Sequence, residues 1–189
     1  MVDINWNKKS REPGLTEDFI REYQDNVYWY WIFQYQVLSE NFIREFHDKV
    51  YWFQISNCQV LSEAFIREFQ DKLNWEYMSY HQSLSEDLIR EFQDRVNWFW
   101  IAYKQKLSED FIREFADKVN WCGIYGNQKL SESFIREFID RINWALLCQY
   151  QDLSKEFILE FADKVHINIT LKYQKLDVET IEYLKLLRR

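Results

Sequence analysis

Breakers of regular structure are scarce in this 189-residue chain, which holds one proline and three glycines. So few interruptions leave no linker-like stretch and imply order nearly throughout. Cysteine is scarce too: Cys58, Cys122 and Cys148 are odd in number and show no metal-like pairing with His47, His81 or His166. They read as reduced thiols in an intracellular protein, and no metal or other cofactor is expected. There is no excess of base: 24 Lys and Arg stand against 31 Asp and Glu, for a net charge of −7 and a pI near 5.1. That balance lacks the electrostatic footprint of sequence-independent phosphate binding. The longest apolar run, residues 27–33, is far too short to cross a bilayer, and the opening MVDINWNKKSREPG has no apolar core for a signal peptide. A soluble cytoplasmic or nuclear protein is the expectation. No Gly-rich phosphate loop and no recurrent Ser/His/Asp or Cys/His set is present, and the carboxylates fall beside Arg or Lys, so no enzyme is expected.

What is there in quantity is repetition, on a composition 47% hydrophobic and 19% aromatic. Near-copies of LSEDFIREFADKVNW (residues 107–121) open at Leu15, Leu38, Leu61, Leu84, Leu107, Leu130, Leu153 and, degenerate, at Leu176, every 23 residues without insertion. A fixed period of this length predicts one supersecondary unit stacked on itself.

The first half of each unit reads as a helix. Thr16, Ser39, Ser62, Ser85, Ser108, Ser131 and Ser154 stand at an N-cap, followed in most copies by an acidic first turn. Leu107 before the cap and Ile112 four after it have the spacing of a hydrophobic staple. Phe111, Ile112, Phe115 and Val119 share one face of a helix of roughly ten residues, and Glu109, Arg113 and Asp117 another.

The second half is rich in strand formers, as in VYWYWIFQYQV (27–37) and HINITLKYQ (166–174), so a helix-plus-strand horseshoe stays in view. The staple and cap recur in Val119, Asn120, Trp121 and Ile124, however, and Trp121, Ile124 and Gln128 fall on one helical stripe. This favours a second helix of roughly eight residues. The fold expected is an all-α solenoid of short helical hairpins: seven full repeats over residues 15–175, an N-terminal half-repeat cap over 1–14 and a C-terminal capping helix over 176–189, in one continuous domain. In the N-terminal cap Asp3, Ile4, Asn5 and Trp6 match a repeat's close and Pro13-Gly14 stops the helix. In the C-terminal cap Tyr183, Leu186 and Leu187 close the last apolar seam.

Two polar features recur. Arg21, Arg44, Arg67, Arg90, Arg113 and Arg136 give way to Leu159 in the last full copy, where the corresponding Glu and Asp beyond it are also missing. Either each Arg reaches the following unit or it pairs within its own helix. Gln36, Gln59, Gln82, Gln105, Gln128, Gln151 and Gln174 close the full units, and their amides are expected to satisfy backbone groups freed where the second helix ends, a ligand role being the alternative.

Function should live where the copies differ. On the second helix these positions are Tyr30, Trp31, Gln34 and Tyr35; Phe53, Gln54, Asn57 and Cys58; Glu76, Tyr77, Tyr80 and His81; Phe99, Trp100, Tyr103 and Lys104; the nearly bare Cys122, Gly123, Gly126 and Asn127; Ala145, Leu146, Gln149 and Tyr150; and Asn168, Ile169, Lys172 and Tyr173. Tyr30, Trp31, Phe53, Tyr77, Tyr80, Phe99, Trp100 and Tyr103 are the candidate partner-binding set, because large exposed aromatics anchor protein interfaces. The same rings could instead be core, and solvent accessibility decides. A protein or peptide partner is expected. A modular reader of single-stranded nucleic acid, stacking bases on residues such as Trp31, Tyr77 or Trp100, is the alternative that the acidic charge disfavours, and self-assembly through the aromatic face is a third.

The unit LSExFIREFxDKVNWxxIxxxQ resembles tandem repeats in proteins of giant, mimivirus-like DNA viruses, over nearly the whole chain. Tyr28 and Tyr51 at the Asn cap, and Ile167 in place of the Trp, depart from it. The resemblance implies no activity. It does imply the cytoplasm of a host cell as the location and a host factor among the candidate partners.

Overall fold

The computed structural model describes residues 4–187, and over these the chain is helix and turn with no strand. It is an α-solenoid of short helical hairpins. The chain divides into two compact units, one up to Asn97 and one from Trp98. The first holds α1 (Trp6–Lys9), α2 (Glu17–Glu22), α3 (Trp29–Tyr35), α4 (Glu40–Glu45), α5 (Trp52–Cys58), α6 (Glu63–Glu68), α7 (Trp75–His81) and α8 (Glu86–Glu91). The second holds α9 (Trp98–Lys104), α10 (Glu109–Glu114), α11 (Trp121–Asn127), α12 (Glu132–Glu137), α13 (Trp144–Tyr150), α14 (Lys155–Glu160), α15 (Ile167–Tyr173) and α16 (Val178–Leu187). Asp3 in the N-terminal cap and residues 188–189 in the C-terminal cap lie outside the described residues.

Every full repeat's first helix starts on its hydroxyl cap. Ser62, extended at φ −73° and ψ 154°, accepts the Phe65 N–H at 3.2 Å, and the same bond recurs from Thr16 to Ser154. The helix that follows is six residues, not ten. The chain leaves it at Phe115, whose ψ of 28° ends the α ladder, and a looser turn carries Val119 to the core, 6% exposed. The break frees a carbonyl that the next helix uses: Trp121 Nε1 donates to the Ala116 carbonyl at 3.0 Å, as Trp29 does to Gln24 and Trp75 to Gln70. A buried indole N–H needs such an acceptor, so the shortened helix and the Trp belong together.

The second halves are helices, which settles strand against helix. Asn74, Asn120 and Asn143 cap them through side-chain oxygens, while Tyr28, Tyr51 and His166 make no side-chain cap bond. Tertiary packing overrides strand propensity because Ile32, Ile55, Met78, Ile101, Ile124 and Leu147 are all fully buried at the same turn. Successive second helices pack directly on one another, α3 on α5 on α7 in the first unit and α9 on α11 on α13 on α15 in the second. First helices are joined to the preceding hairpin by ring contacts: Trp29 lies 4.7 Å from Phe46, Trp75 4.6 Å from Phe92 and Trp121 4.9 Å from Phe138, centroid to centroid.

Polar side chains bridge the same junctions. Gln59 Nε2 donates to the carbonyls of Phe33 (3.0 Å) and Gln36 (2.7 Å), and its Oε1 accepts the Leu38 N–H (3.1 Å). Gln82, Gln128, Gln151 and Gln174 repeat this pattern, and Gln36 makes the same kind of bridge to the Leu15 N–H and, one residue further back, to the Glu12 carbonyl. The amide does satisfy carbonyls at a helix end, but the end belongs to the preceding repeat. The arginines make both proposed bonds. Arg44 Nε donates to Glu68 of the next repeat at 2.8 Å while its Nη2 lies 3.6 Å from Glu40 of its own helix. Arg21 with Glu45, Arg67 with Glu91, Arg113 with Glu137 and Arg136 with Glu160 match it. The guanidiniums of Arg21, Arg67, Arg113 and Arg136 gain a stronger hold on their protons than usual from the hydrogen-bonded carboxylate of the next repeat. Because these side chains are about a third to a half exposed, solvent screens them. Arg44→Ala is therefore expected to shift the urea midpoint far less than a substitution in the glutamine ladder, and less again in high salt. Equal shifts at the two positions would show the ion pairs to be the dominant link.

At the last junction Leu159 stands for the Arg and Tyr183 for its Glu, while Lys155 Nζ pairs with Asp177 at 2.7 Å. That pairing, with the Thr180 bonds at the helix start, holds the Asp177 carboxyl well below its ordinary range. Leu184, fully buried, closes the seam. Tyr183, Leu186 and Leu187 do not: they are 45%, 61% and 47% exposed. The buried stripe of α16 runs through Thr180 and Leu184, four residues apart, so their neighbours fall outside it. The N-terminal α1 is a lone second helix as expected, capped by Asn5. It ends at Lys9, before Pro13-Gly14, and Gly14 then turns the chain at φ +83°, a conformation glycine allows.

Candidate functional site

The second helices present the variable positions. In the first unit Tyr30 and Phe53 are exposed at 38% and 45%, and Trp31, Tyr77 and Tyr80 are half-buried. In the second unit Phe99 is exposed and Trp100 and Tyr103 are half-buried. No member of the set is core.

The rings hold one another in place. Tyr30 meets Trp31 edge-on at 4.6 Å and Tyr51 at 5.5 Å, and Trp31 stacks on Tyr35. The Arg11 guanidinium, from the N-terminal cap, lies 4.0 Å over the Trp31 ring. Phe53 reaches Tyr77 of the next repeat at 4.5 Å, and His81 joins Tyr77 to Tyr80. In the second unit Phe99 sits between Trp100 and Tyr103, at 4.8 and 4.6 Å. Such edge-on and offset contacts restrict the rotamers and so lower the entropy lost when a ring is covered.

Charge is almost absent from these helices. Glu76 is the one Lys, Arg, Asp or Glu in α3, α5 and α7, and Lys104 the one in α9, α11 and α13. The ladders concentrate charge on the first helices instead. The face can therefore take up apolar groups and amides, and it offers no row of cations to a phosphate backbone. Among the described residues no group of three or more His, Cys, Asp or Glu could hold a metal, and no helix is long and apolar enough to cross a membrane. Cys58, Cys122 and Cys148 are unpaired, and burial pushes the Cys58 thiol up.

Variation between copies does not equal exposure, and two variable positions are buried. Gln54 is 5% exposed. Gly123 is buried because a Cβ there would lie 2.7 Å from Tyr103 Cδ2 and 2.8 Å from Ala102 Cβ, so only glycine lets α11 approach α9 this closely. The position four after the Trp lies outside the variable set and holds buried residues of different kinds: Phe33, Ser56, Ser79, Ala102, Tyr125 and Cys148. Its serines are structural. Ser56 Oγ donates to the Trp52 carbonyl and accepts the Asn74 N–H of the next repeat. The i, i+4 relation to the Trp could have revealed the position.

Val37 and Val60, equivalent residues in successive copies, are 98% and 92% exposed. They too lie outside the variable set, and Ser83, Lys106, Lys129, Asp152 and Lys175 at that position mark it as wet. With Tyr35 they add apolar surface at the close of the first two repeats. Comparison with known protein families, with curated proteins and with solved structures finds no match.

Proposed function

We propose that the protein is a non-enzymatic repeat scaffold that holds a protein or peptide partner on the variable face of its second helices. In the first unit Tyr30, Trp31, Phe53, Tyr77 and Tyr80 form the contact set, and in the second unit Phe99, Trp100 and Tyr103 form another. The observation that carries this reading is a helix face with few charges whose rings are pinned by one another yet remain half open to water. Aromatic anchors with few rotamers, surrounded by amides, are what protein interfaces use at their centres. The resemblance to giant-virus repeats makes host proteins the first class to screen.

A photo-crosslinking residue placed at Tyr77 should capture a partner that the same residue at exposed Ala64, on a first helix, does not. With that partner purified, Trp31→Ala and Phe53→Ala are each expected to weaken binding tenfold or more, about 1.4 kcal/mol, with melting temperatures near that of the parent. Capture from Ala64 alone, or unchanged affinity in both variants, would overturn the assignment.

A further inference from the structure

The second unit contains a notch in the face. Over α11 the side chains stop at Gly126, and the gap, about 200 Å³, is walled by Tyr103 of α9, by Leu146 and Tyr150 of α13, and by Cys122 and Asn127 of α11 itself. The two glycines of α11 differ in kind. Gly123 is demanded by packing, but a Cβ at Gly126 would meet nothing within 4 Å. Glycine inside a helix costs roughly 1 kcal/mol relative to alanine, and no neighbour, turn or positive φ requires it at 126. What Gly126 provides is the gap.

We infer that this notch is a specificity pocket that receives one uncharged, apolar side chain, of leucine or phenylalanine type, from a bound peptide. This rests on the partner-binding reading above and names what the second unit would select. The volume suits one side chain and falls below the roughly 300–1,000 Å³ of pockets for drug-sized ligands. The wall carries no Asp, Glu, Lys or Arg, so a charged group entering it would lose water and gain no counter-charge. Two tyrosine rings and a leucine supply the apolar contacts. At the rim Asn127 Nδ2 donates to the Gly123 carbonyl at 3.1 Å, which leaves the Oδ1 of the same amide to serve as an acceptor for a peptide N–H. An apolar socket beside an amide acceptor matches a side chain attached to a backbone better than it matches a free hydrocarbon.

The chain's three glycines make the test direct. In the ¹⁵N-labelled full-length protein, the Gly123 and Gly126 amides report on the notch and Gly14 serves as the internal control. Titration with N-acetyl-leucinamide and N-acetyl-phenylalaninamide at millimolar concentrations should move Gly123 and Gly126 saturably and leave Gly14 in place. N-acetyl-aspartamide and N-acetyl-lysinamide should move neither. Gly126→Leu fills the gap and should abolish the Gly123 response while melting at or above the parent temperature; Gly126→Ala, a smaller change, should weaken it. No saturable shift with either apolar amide, an equal response to the charged amides, or a Gly123 response that survives Gly126→Leu would overturn the proposal. The titration needs no natural partner. A notch that binds nothing while Tyr77 captures a protein refutes only the pocket, and the converse refutes only the aromatic contact set.

Discussion

Gln59→Met is expected to lower the free energy of unfolding by about 3–5 kcal/mol, one of the two largest effects of any single substitution considered. Methionine keeps the length and bulk of the side chain, so little of the loss comes from a cavity. What disappears is three hydrogen bonds at a site 4% exposed: two to the carbonyls of Phe33 and Gln36 and one from the Leu38 N–H. Each buried backbone group left without a partner costs about 1–3 kcal/mol, and all three sit where water enters poorly. Gln59→Glu should do no better, because it sets an acceptor against two carbonyls and gives up both donors. Equilibrium urea unfolding measures the loss, and amide exchange locates it, since the Leu38 N–H should exchange much faster than in the parent. A loss under about 1 kcal/mol, the ordinary value of one exchanged hydrogen bond, would mean that the groups find other partners.

The second large effect is expected from Phe65→Ala, at about 3–5 kcal/mol. Phe65 is fully buried, its ring is 4.6 Å from that of Phe69, and the Arg44 guanidinium of the preceding repeat lies 5.0 Å above it. Its N–H remains capped by Ser62 whatever the side chain, so helix α6 keeps its start and the loss is one of packing. Phe65→Leu should cost far less. Leu88, at the equivalent position of the next copy, is buried completely in the same setting. Thermal and urea unfolding of the two variants check the contrast; alanine and leucine behaving alike would show that the site collapses around whatever it holds.

Caps, period and helix content were legible because each depends on residues close in sequence. A serine that caps the N–H three residues on, or an Asn that does so for the second helix, is a local event. The partners of the recurrent glutamine and arginine were less legible. Recurrence says that a side chain is needed, but Gln59 bonds groups 21 to 26 residues back, and helical spacing rules reach only three or four. The first helix is shorter than its sequence implies, because the apolar pattern continues through Phe115 and Val119 whereas the backbone breaks between them to offer a carbonyl to Trp121. The variable face was found in outline by asking where copies disagree. That criterion fails where a junction accepts several buried residues, as at Ser56 and Tyr125, and where a missing side chain is itself a packing requirement, as at Gly123.

The glutamine bridges also constrain how such a gene can change. Between full repeats of the same unit the bridges span the same number of residues, 21 to the N–H and 23 to a carbonyl, at Gln59 as at Gln151, whereas at the N-terminal cap Gln36 reaches 24 residues back to Glu12. Duplicating or excising a 23-residue cassette reconnects identical donors to identical acceptors. Losing or gaining a single codon in a connecting turn misaligns three bonds at once. Unequal recombination can therefore alter copy number in whole steps, while frame-preserving slippage by lesser amounts is penalised at the junction where it falls.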